Sequence, residues 1–429
     1  MSGLTMFQYM DLLFIFVDIS KVFRMGPLEG IRVIDMSAVL AGPVATQTLG
    51  DYGADVIKIE SPAGDVLRQV GPMRSAAMGP LYMNANYNKR SVCLDLKTED
   101  GREVLLGLIR SADIFVTNSR PKAMMRLGLS YDTIQMVKPD IIYTALLGFD
   151  EGGRYSGRPA YDDLIQGAVG LPFLQAKASG NVPRYFPNAI ADRAFGLAAS
   201  NAILAALVHK GRTGEGQQIA IPMFETVANF VLGDHLGGLS FEPPLDAGGY
   251  HRLTSKARRP LRTKDGYICL LLYSDAQWGR FLEVTGKPAV LAADNRLSSF
   301  AGRQEHFDDL CKAVSEVTKT KTSSEWLELL ETADIPVMPM HSLESLLDDP
   351  HLNDVGFFEI YDHPSEGRMR RTKVPGRWSR TQSNTHRPPP VLGEHTVEVL
   401  KETGLSEDTI YELLQSGIAS APASEPVPA

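Results

Sequence analysis

Cysteine is scarce in this chain. Cys93, Cys269 and Cys311 are the only three in 429 residues, and they are widely spaced. So few, and an odd number, exclude a disulfide framework and a cysteine-built zinc site, and they fit a reducing compartment. Histidine is missing from the first 208 residues, all nine lying at or after His209. With no Gly-x-Ser-x-Gly elbow and no His-Glu-x-x-His, this disfavours a serine triad in that half and gives no metal site. Basic blocks are absent too, and the net charge of −8 argues against a nucleic-acid partner. The apolar run "LLFIFV" at 12–17 is far too short to cross a bilayer, and no Lys or Arg precedes Lys21 to make a secretory signal. No membrane association is expected. Residues 1–24 read as a non-essential extension, Met25 as an alternative start, and the protein as cytoplasmic.

What is present points to an α/β protein of more than one domain, since 429 residues exceed a single core. "IRVIDMS" reads as a strand, "AGPVATQTLGDYGA" as a helix and "DVIKIE" as a second strand, a βαβ unit implying a parallel sheet. The alternation continues through "SVCLDL", "DIFVTN", a helix near 121–137, "DIIYTALLG", a long helix at 193–209 and "QQIAIPM". Residues 25–225 are therefore expected to form a large doubly wound domain, followed by a linker at 226–245 and a small domain at 246–340. Residues 341–418 form a linker and a return to the large domain, and 419–429 a tail disordered by composition.

Ligands of such sheets bind beyond the C-terminal ends of the strands. The first turn, "SAVLAGP", lacks the Gly-x-Gly-x-x-Gly spacing, which weakens a nucleotide-dependent oxidoreductase. Lys58, Lys89, Arg90, Lys97 and Arg126 flank the strands. Together they are candidates to hold a polyanion; singly, each reads as a solvated surface residue. From Ala194 to Val208 no side chain is charged, which reads as a fully buried helix, and Asp192 stands just before that run. Asp192 has two readings. It is a good N-cap at the positive end of the dipole, or it is a functional group, since by elimination the strongest nucleophile or base candidate of the domain is a carboxylate, which can do covalent work on an activated acyl group.

The stretch "PLEGIRVIDMSAVLAGPVATQTLGDYGADVIKIESPAGDVLRQVGP" resembles the opening of the family III CoA-transferases. That family includes formyl-CoA:oxalate and carnitine CoA-transferases, with α-methylacyl-CoA racemases as relatives. The likeness runs on through "NANYNKRSVCLDLKTEDGREVL", "RPAYDDLIQGAVGL", "LVHKGRTGEGQQIAIPMFE" and "PPPVLGEHTVEVL", covering roughly 26–418 in order. It implies a Rossmann-like large domain built from both chain ends, a smaller inserted α+β domain, and a homodimer of interlocked rings. It also implies that Asp192, in "ADRAFG", is the covalent nucleophile. Lys97 and Arg126 match contacts to the CoA phosphates and adenosine, and Asn118 another cofactor contact. Leu40 and Ala41 match the thioester end, and Pro159, Ala160 and Tyr161 the pantetheine channel.

The resemblance implies coenzyme A or acyl-CoA as substrate, with a free carboxylic acid, including a dicarboxylate, as acceptor. No tightly bound cofactor or metal is implied. The aspartate passes through an acyl anhydride and an aspartyl-CoA thioester. Three departures bear on substrate. Leu40 stands where formyl-CoA transferase has glutamine, Ser61 stands where it has an arginine, and "HRLTSKARRPLR" replaces its tetraglycine lid. Arg252, Arg258, Arg259 and Arg262 of that segment are candidates to clamp the distal carboxylate of a dicarboxylic acid, or are solvated turn residues. Tyr161 stands where the racemases carry a histidine base, and a phenol is a poor α-proton base at pH 7. The alternatives left are an acyl-CoA racemase and a non-catalytic acyl-CoA-binding protein.

Overall fold

A computed structural model describes residues 26–286 and 299–422. The extension at 1–24 and residues 423–429 of the tail lie outside the described residues. The chain divides into two compact units. In the first unit six strands run parallel: β1 (Arg32–Met36), β2 (Asp55–Glu60), β3 (Lys89–Leu94), β4 (Ile114–Thr117), β5 (Ile142–Leu147) and β6 (Gln218–Pro222). Their order across the sheet is β3-β2-β1-β4-β5-β6, that of a doubly wound sheet. Sheets of this kind are covered on both faces, which is why "IFVT" and "IIYTALL" read as mainly apolar runs and are buried.

Two helices matter for the site. α1 (Ala41–Asp51) leaves β1, and α2 (Ile190–Thr213) packs across it. They meet at Gly196, where a Cβ would stand 2.7 Å from the Ala41 carbonyl oxygen and 3.0 Å from Val44. Backbone cannot yield as a flexible side chain does. Gly196→Ala is expected to lower stability by about 1–3 kcal/mol, measured by urea unfolding, and to displace Ala41.

α2 is less buried than its composition suggests. Ala191, Phe195, Ala199, Ile203 and Ala206 form the buried stripe, while Leu197 and Val208 are each 53% exposed. By length and composition α2 would also pass for a membrane span. The run is apolar all round because it is rich in alanine, a residue that needs little cover. Near 121–137 there are two helices, Pro121–Arg126 and Tyr131–Val137, parted at Gly128, whose φ of +67° favours glycine.

The second unit takes in residues 163–189 and 227–355, so the large unit does not run unbroken over 25–225. Much of the expected linker at 226–245 is helical, belonging to α3 (Met223–His235), whose apolar sequence "VANFVL" continues a helical pattern. Three short antiparallel strands, β7 (Leu261–Arg262), β8 (Tyr267–Leu270) and β9 (Val337–Pro339), pack with helices around Phe281, Trp326 and Leu330.

From residue 356 the chain belongs to the first unit again. A hairpin of β10 (Phe358–His363) and β11 (Gly367–Thr372) sets Tyr361 against Tyr87, their hydroxyls 3.2 Å apart. Ala419 and Ser420, expected in the disordered tail, form β12, which pairs antiparallel with β3. Ala419 is buried there, and the Ser420 carbonyl accepts from Thr396 Oγ1 at 2.7 Å. Composition marked the tail; the hydrogen bonds of an open sheet edge decide where it begins.

Candidate active site

The turn after β1 is under strain and is tied at every residue. Val39 has a φ of +69°, rare for a β-branched residue and worth on the order of 1–3 kcal/mol of strain. Its N–H donates to both carboxylate oxygens of Asp65, at 3.1 and 3.2 Å. Ala38 is clamped by Asn118, whose Nδ2 donates to its carbonyl at 2.7 Å and whose Oδ1 accepts from its N–H at 3.1 Å. The Ser37 carbonyl accepts from Lys58 Nζ at 2.8 Å, and the Ser37 N–H donates to Asp35 at 3.0 Å.

Behind the turn is a buried charge network. Lys58 also reaches Asp65 at 3.2 Å, and Lys89 reaches Asp35 at 3.0 Å. Burial alone would raise the Asp35 pKa, but Lys89, Lys58 and two hydroxyls outweigh it and bring it down to about 2. Lys58, Lys89 and Arg90 are thus neither ligand-facing nor solvated, as either sequence reading had them. Lys58 and Lys89 are fully buried, and Arg90 is spent on Asp55, Glu398 and Glu402. Each has carboxylates of its own chain to satisfy it.

Asp192 lies in the first turn of α2, two residues past its start at Ile190, and so is not the N-cap. Its backbone N–H instead donates to Asp162 Oδ1 at 3.0 Å, so Asp162 serves one of the free amides of the helix end. Burial first, and the Asp162 carboxylate second, push the Asp192 pKa up to about 6 against the pull of Arg193. Asp192 borders a cavity of ≈ 280 Å³ together with Val39 and Ala41 of the strained turn, Asn118 and Arg120 after β4, and Arg158 after β5. This is the switch point of the sheet, between β1 and β4, where doubly wound folds place ligands.

The cavity gathers Ala41, Asn118, Pro159, Ala160, Tyr161 and Asp192 of the candidate residues. Leu40 is buried and does not line it, while Lys97 and Arg126 are exposed and lie outside its lining. Arg120 and Arg158 went unremarked in the sequence. Their signal was positional: Arg120 sits in the turn after β4, a strand of the switch point, and Arg158 in the segment after its neighbour β5. The Arg158 guanidinium lies over the Tyr155 ring at 4.6 Å. Among the described residues no group of three or more His, Cys, Asp or Glu side chains is arranged to hold a metal ion. Of the four arginines of 251–262, Arg252, Arg258 and Arg259 border a separate cavity in the second unit, and Arg262 does not.

An anionic side chain at a helix start, in a concave site with two arginines, suits an acyl compound carrying negative charge. The relatives agree. Residues 28–396 match CoA-transferase family III. The (R)-2-hydroxy-4-methylpentanoate CoA-transferase of Clostridioides difficile is 34% identical, over 91% of this chain and 99% of its own length. Human succinyl-CoA:glutarate CoA-transferase is 31% identical, over 93% and 91% respectively. The crystal structure of a CAIB/BAIF family protein from Brucella suis superposes with a TM-score of 0.76 at 28% identity, covering 89% of this chain and all of that one (100%). The chain belongs to CoA-transferase family III.

Proposed function

We propose that this protein moves CoA from an acyl-CoA donor to a free carboxylic acid, with Asp192 as the covalent nucleophile. The observation that carries the reading is Asp192 itself, a carboxylate in the first turn of α2 that borders the switch-point cavity beside the strained Val39 turn. A carboxylate oxygen of Asp192 attacks the thioester carbon, and the carbon–sulfur bond breaks to give an aspartyl anhydride and CoA thiolate. The thiolate then attacks the aspartyl carbonyl, releasing the donor acid and leaving an aspartyl-CoA thioester. The acceptor carboxylate attacks that thioester, forming a second anhydride and freeing the thiolate. Attack of the thiolate on the acceptor carbonyl yields the new acyl-CoA and restores Asp192. N–H groups at the start of α2 stabilise the tetrahedral oxyanions, and the cavity wall keeps water from the anhydrides.

Arg120 and Arg158 are positioned to meet the anionic part of the substrate, with Lys97 and Arg126 further out for the phosphates and adenosine of CoA. The chain acts as a homodimer with interlocked subunits. Support for a partner comes from apolar side chains left uncovered in each unit, Leu197 and Val208 in the first, Phe230 and Leu343 in the second. Three free cysteines fit a reducing, cytoplasmic setting.

The reading is tested by incubating the protein with succinyl-CoA, trapping with hydroxylamine and mapping peptides by mass. A hydroxamate or CoA adduct on the Asp192 peptide, absent from Asp192→Ala, is the expected result. Because the attacking form is the carboxylate, the adduct should form faster as pH rises through about 6 and level off above it. An adduct on another peptide, or one that persists in Asp192→Ala, would remove Asp192 from the chemistry, whereas a flat profile between pH 5 and 8 would mean that its carboxylate is ionised throughout that range.

A further inference from the structure

The second unit holds a larger cavity, of ≈ 450 Å³, between β8 and the helix Phe307–Thr318. Its lining is mostly apolar, with Leu261, Leu270, Leu272, Trp278, Leu310 and Val314 beside Gln304 and the buried Arg303. Its border carries Arg252, Arg258 and Arg259. Arg252 is half-buried, its guanidinium 5.9 Å from the centroid of Tyr273 and 5.7 Å from that of Phe307. Rings hold a guanidinium in place without neutralising it.

Carboxylates that might have answered these charges are engaged elsewhere. Asp308 accepts from Ser255 Oγ at 2.5 Å and lies 3.7 Å from His251, and Asp275 pairs with Arg303. Among the described residues no hydrogen bond or ion pair joins Arg252, Arg258 or Arg259 to a carboxylate. Four guanidinium groups line this hollow, and among the described residues only that of Arg303 is paired with a carboxylate, which in a chain with 51 acidic and 43 basic residues is out of pattern for the other three. Like charges so placed repel one another, and an anion binding among them relieves that repulsion.

We propose that this cavity is a binding site for an amphipathic organic acid, its carboxylate held by Arg252, Arg258 and Arg259 and its hydrocarbon body against Trp278 and the leucines. Guanidinium pairs a carboxylate through two parallel N–H bonds, which fixes the head group. Burial of the chain supplies affinity in proportion to the area it covers, which sets a preference for an aliphatic acid over acetate. The site lies wholly in the second unit and does not depend on the role given to Asp192.

The cavity contains its own reporter. Cys269 and Cys311 both border it; Cys269 is exposed, Cys93 is buried, and burial pushes the Cys311 thiol up to about 11. At pH 8, N-ethylmaleimide should therefore label Cys269 of the full-length protein first. Hexanoate is expected to slow that labelling saturably, read by peptide mass, while hexan-1-ol at the same concentration does not. Arg258→Gln/Arg259→Gln, two exposed positions whose change leaves the core intact, should raise the half-protecting concentration about tenfold. Asp192→Ala should protect like the wild type, which separates this site from the transferase reading. No protection by hexanoate, equal protection by hexan-1-ol, or an unchanged half-protecting concentration in the double variant would each overturn the proposal.

Discussion

Asp192→Asn should lose about 10⁴-fold or more of the transferase rate and yet unfold at a higher temperature than the wild type at pH 7.5. On the proposed mechanism, the loss follows from removing the nucleophile while keeping its shape. The gain follows from proton linkage. The folded protein raises the Asp192 pKa from 3.8 to about 6, so between those values the folded state holds more protons than the unfolded one. Stability attached to this group is therefore present below about pH 4, falls as pH rises through the window, and is missing above about 6. A shift of this size corresponds to at most ~3 kcal/mol, and partial exposure of the carboxylate reduces it to ~1–2 kcal/mol. Thermal melts of the two proteins should diverge at pH 7.5, by about 1–3 °C, and converge near pH 4. An asparagine variant less stable than the wild type at pH 7.5 would mean that the carboxylate holds the fold together, and would count against its reactive role.

The largest loss of stability is expected from Lys89→Met. Lys89 Nζ donates to Asp35 at 3.0 Å, the Pro43 carbonyl at 2.9 Å, Thr46 Oγ1 at 2.8 Å and Asn86 Oδ1 at 2.9 Å, all of them buried. The substitution leaves the Asp35 carboxylate with the nearby Lys58 charge and the Ser37 and Thr46 hydroxyls but without its direct ion pair, and breaking a buried pair from one side costs about 3–5 kcal/mol. Asp35→Asn/Lys89→Met should recover part of it, because the uncompensated charge is gone. Urea midpoints of the three proteins measure the difference. At the sheet margin Arg90→Met is expected to cost about 1 kcal/mol, since its partners Asp55, Glu398 and Glu402 remain partly solvated. A Lys89→Met loss no larger than that of Arg90→Met would show that the network is not what supports the Val39 turn.

The strands of the parallel sheet were legible because burial on both faces leaves an unbroken apolar run, as in "IFVT". The strand-by-strand alternation also located the turns where ligands collect. Lysines were not legible. In "DVIKIE" and "KRSVCL" a lysine within a strand reads as a surface residue, and nothing local announces that Asp65 and Asp35 wait for them in the folded chain. Lys89 and Asp35 are 54 positions apart, a separation that no spacing rule spans. Asp162 was hidden for the same reason, since its tie to the Asp192 amide crosses 30 residues of intervening chain. The assignment of 163–189 to the second unit was equally silent, because its composition continues that of its neighbours. The nucleophile reading of Asp192 drew its weight from the motif around it; by residue type alone, capping was the favoured account.

The seventh strand has a consequence for synthesis. β3 pairs with β2 on one side and, on the other, only with Ala419 and Ser420. Residues that complete the sheet thus leave the ribosome more than 300 positions after the strand they cover, as the register Ala419↔Leu94 requires. Until then a nascent chain carries a row of parallel strands with β3, like β6 at the far margin, as a raw edge, the kind of surface that pairs with other chains. Val399, Leu400, Ile410 and Leu413, which join the same core, arrive in the same late stretch. Completion of this sheet is therefore bound to residues 399–420, and a ribosome stalled short of them holds a half-closed sheet that calls for chaperone cover.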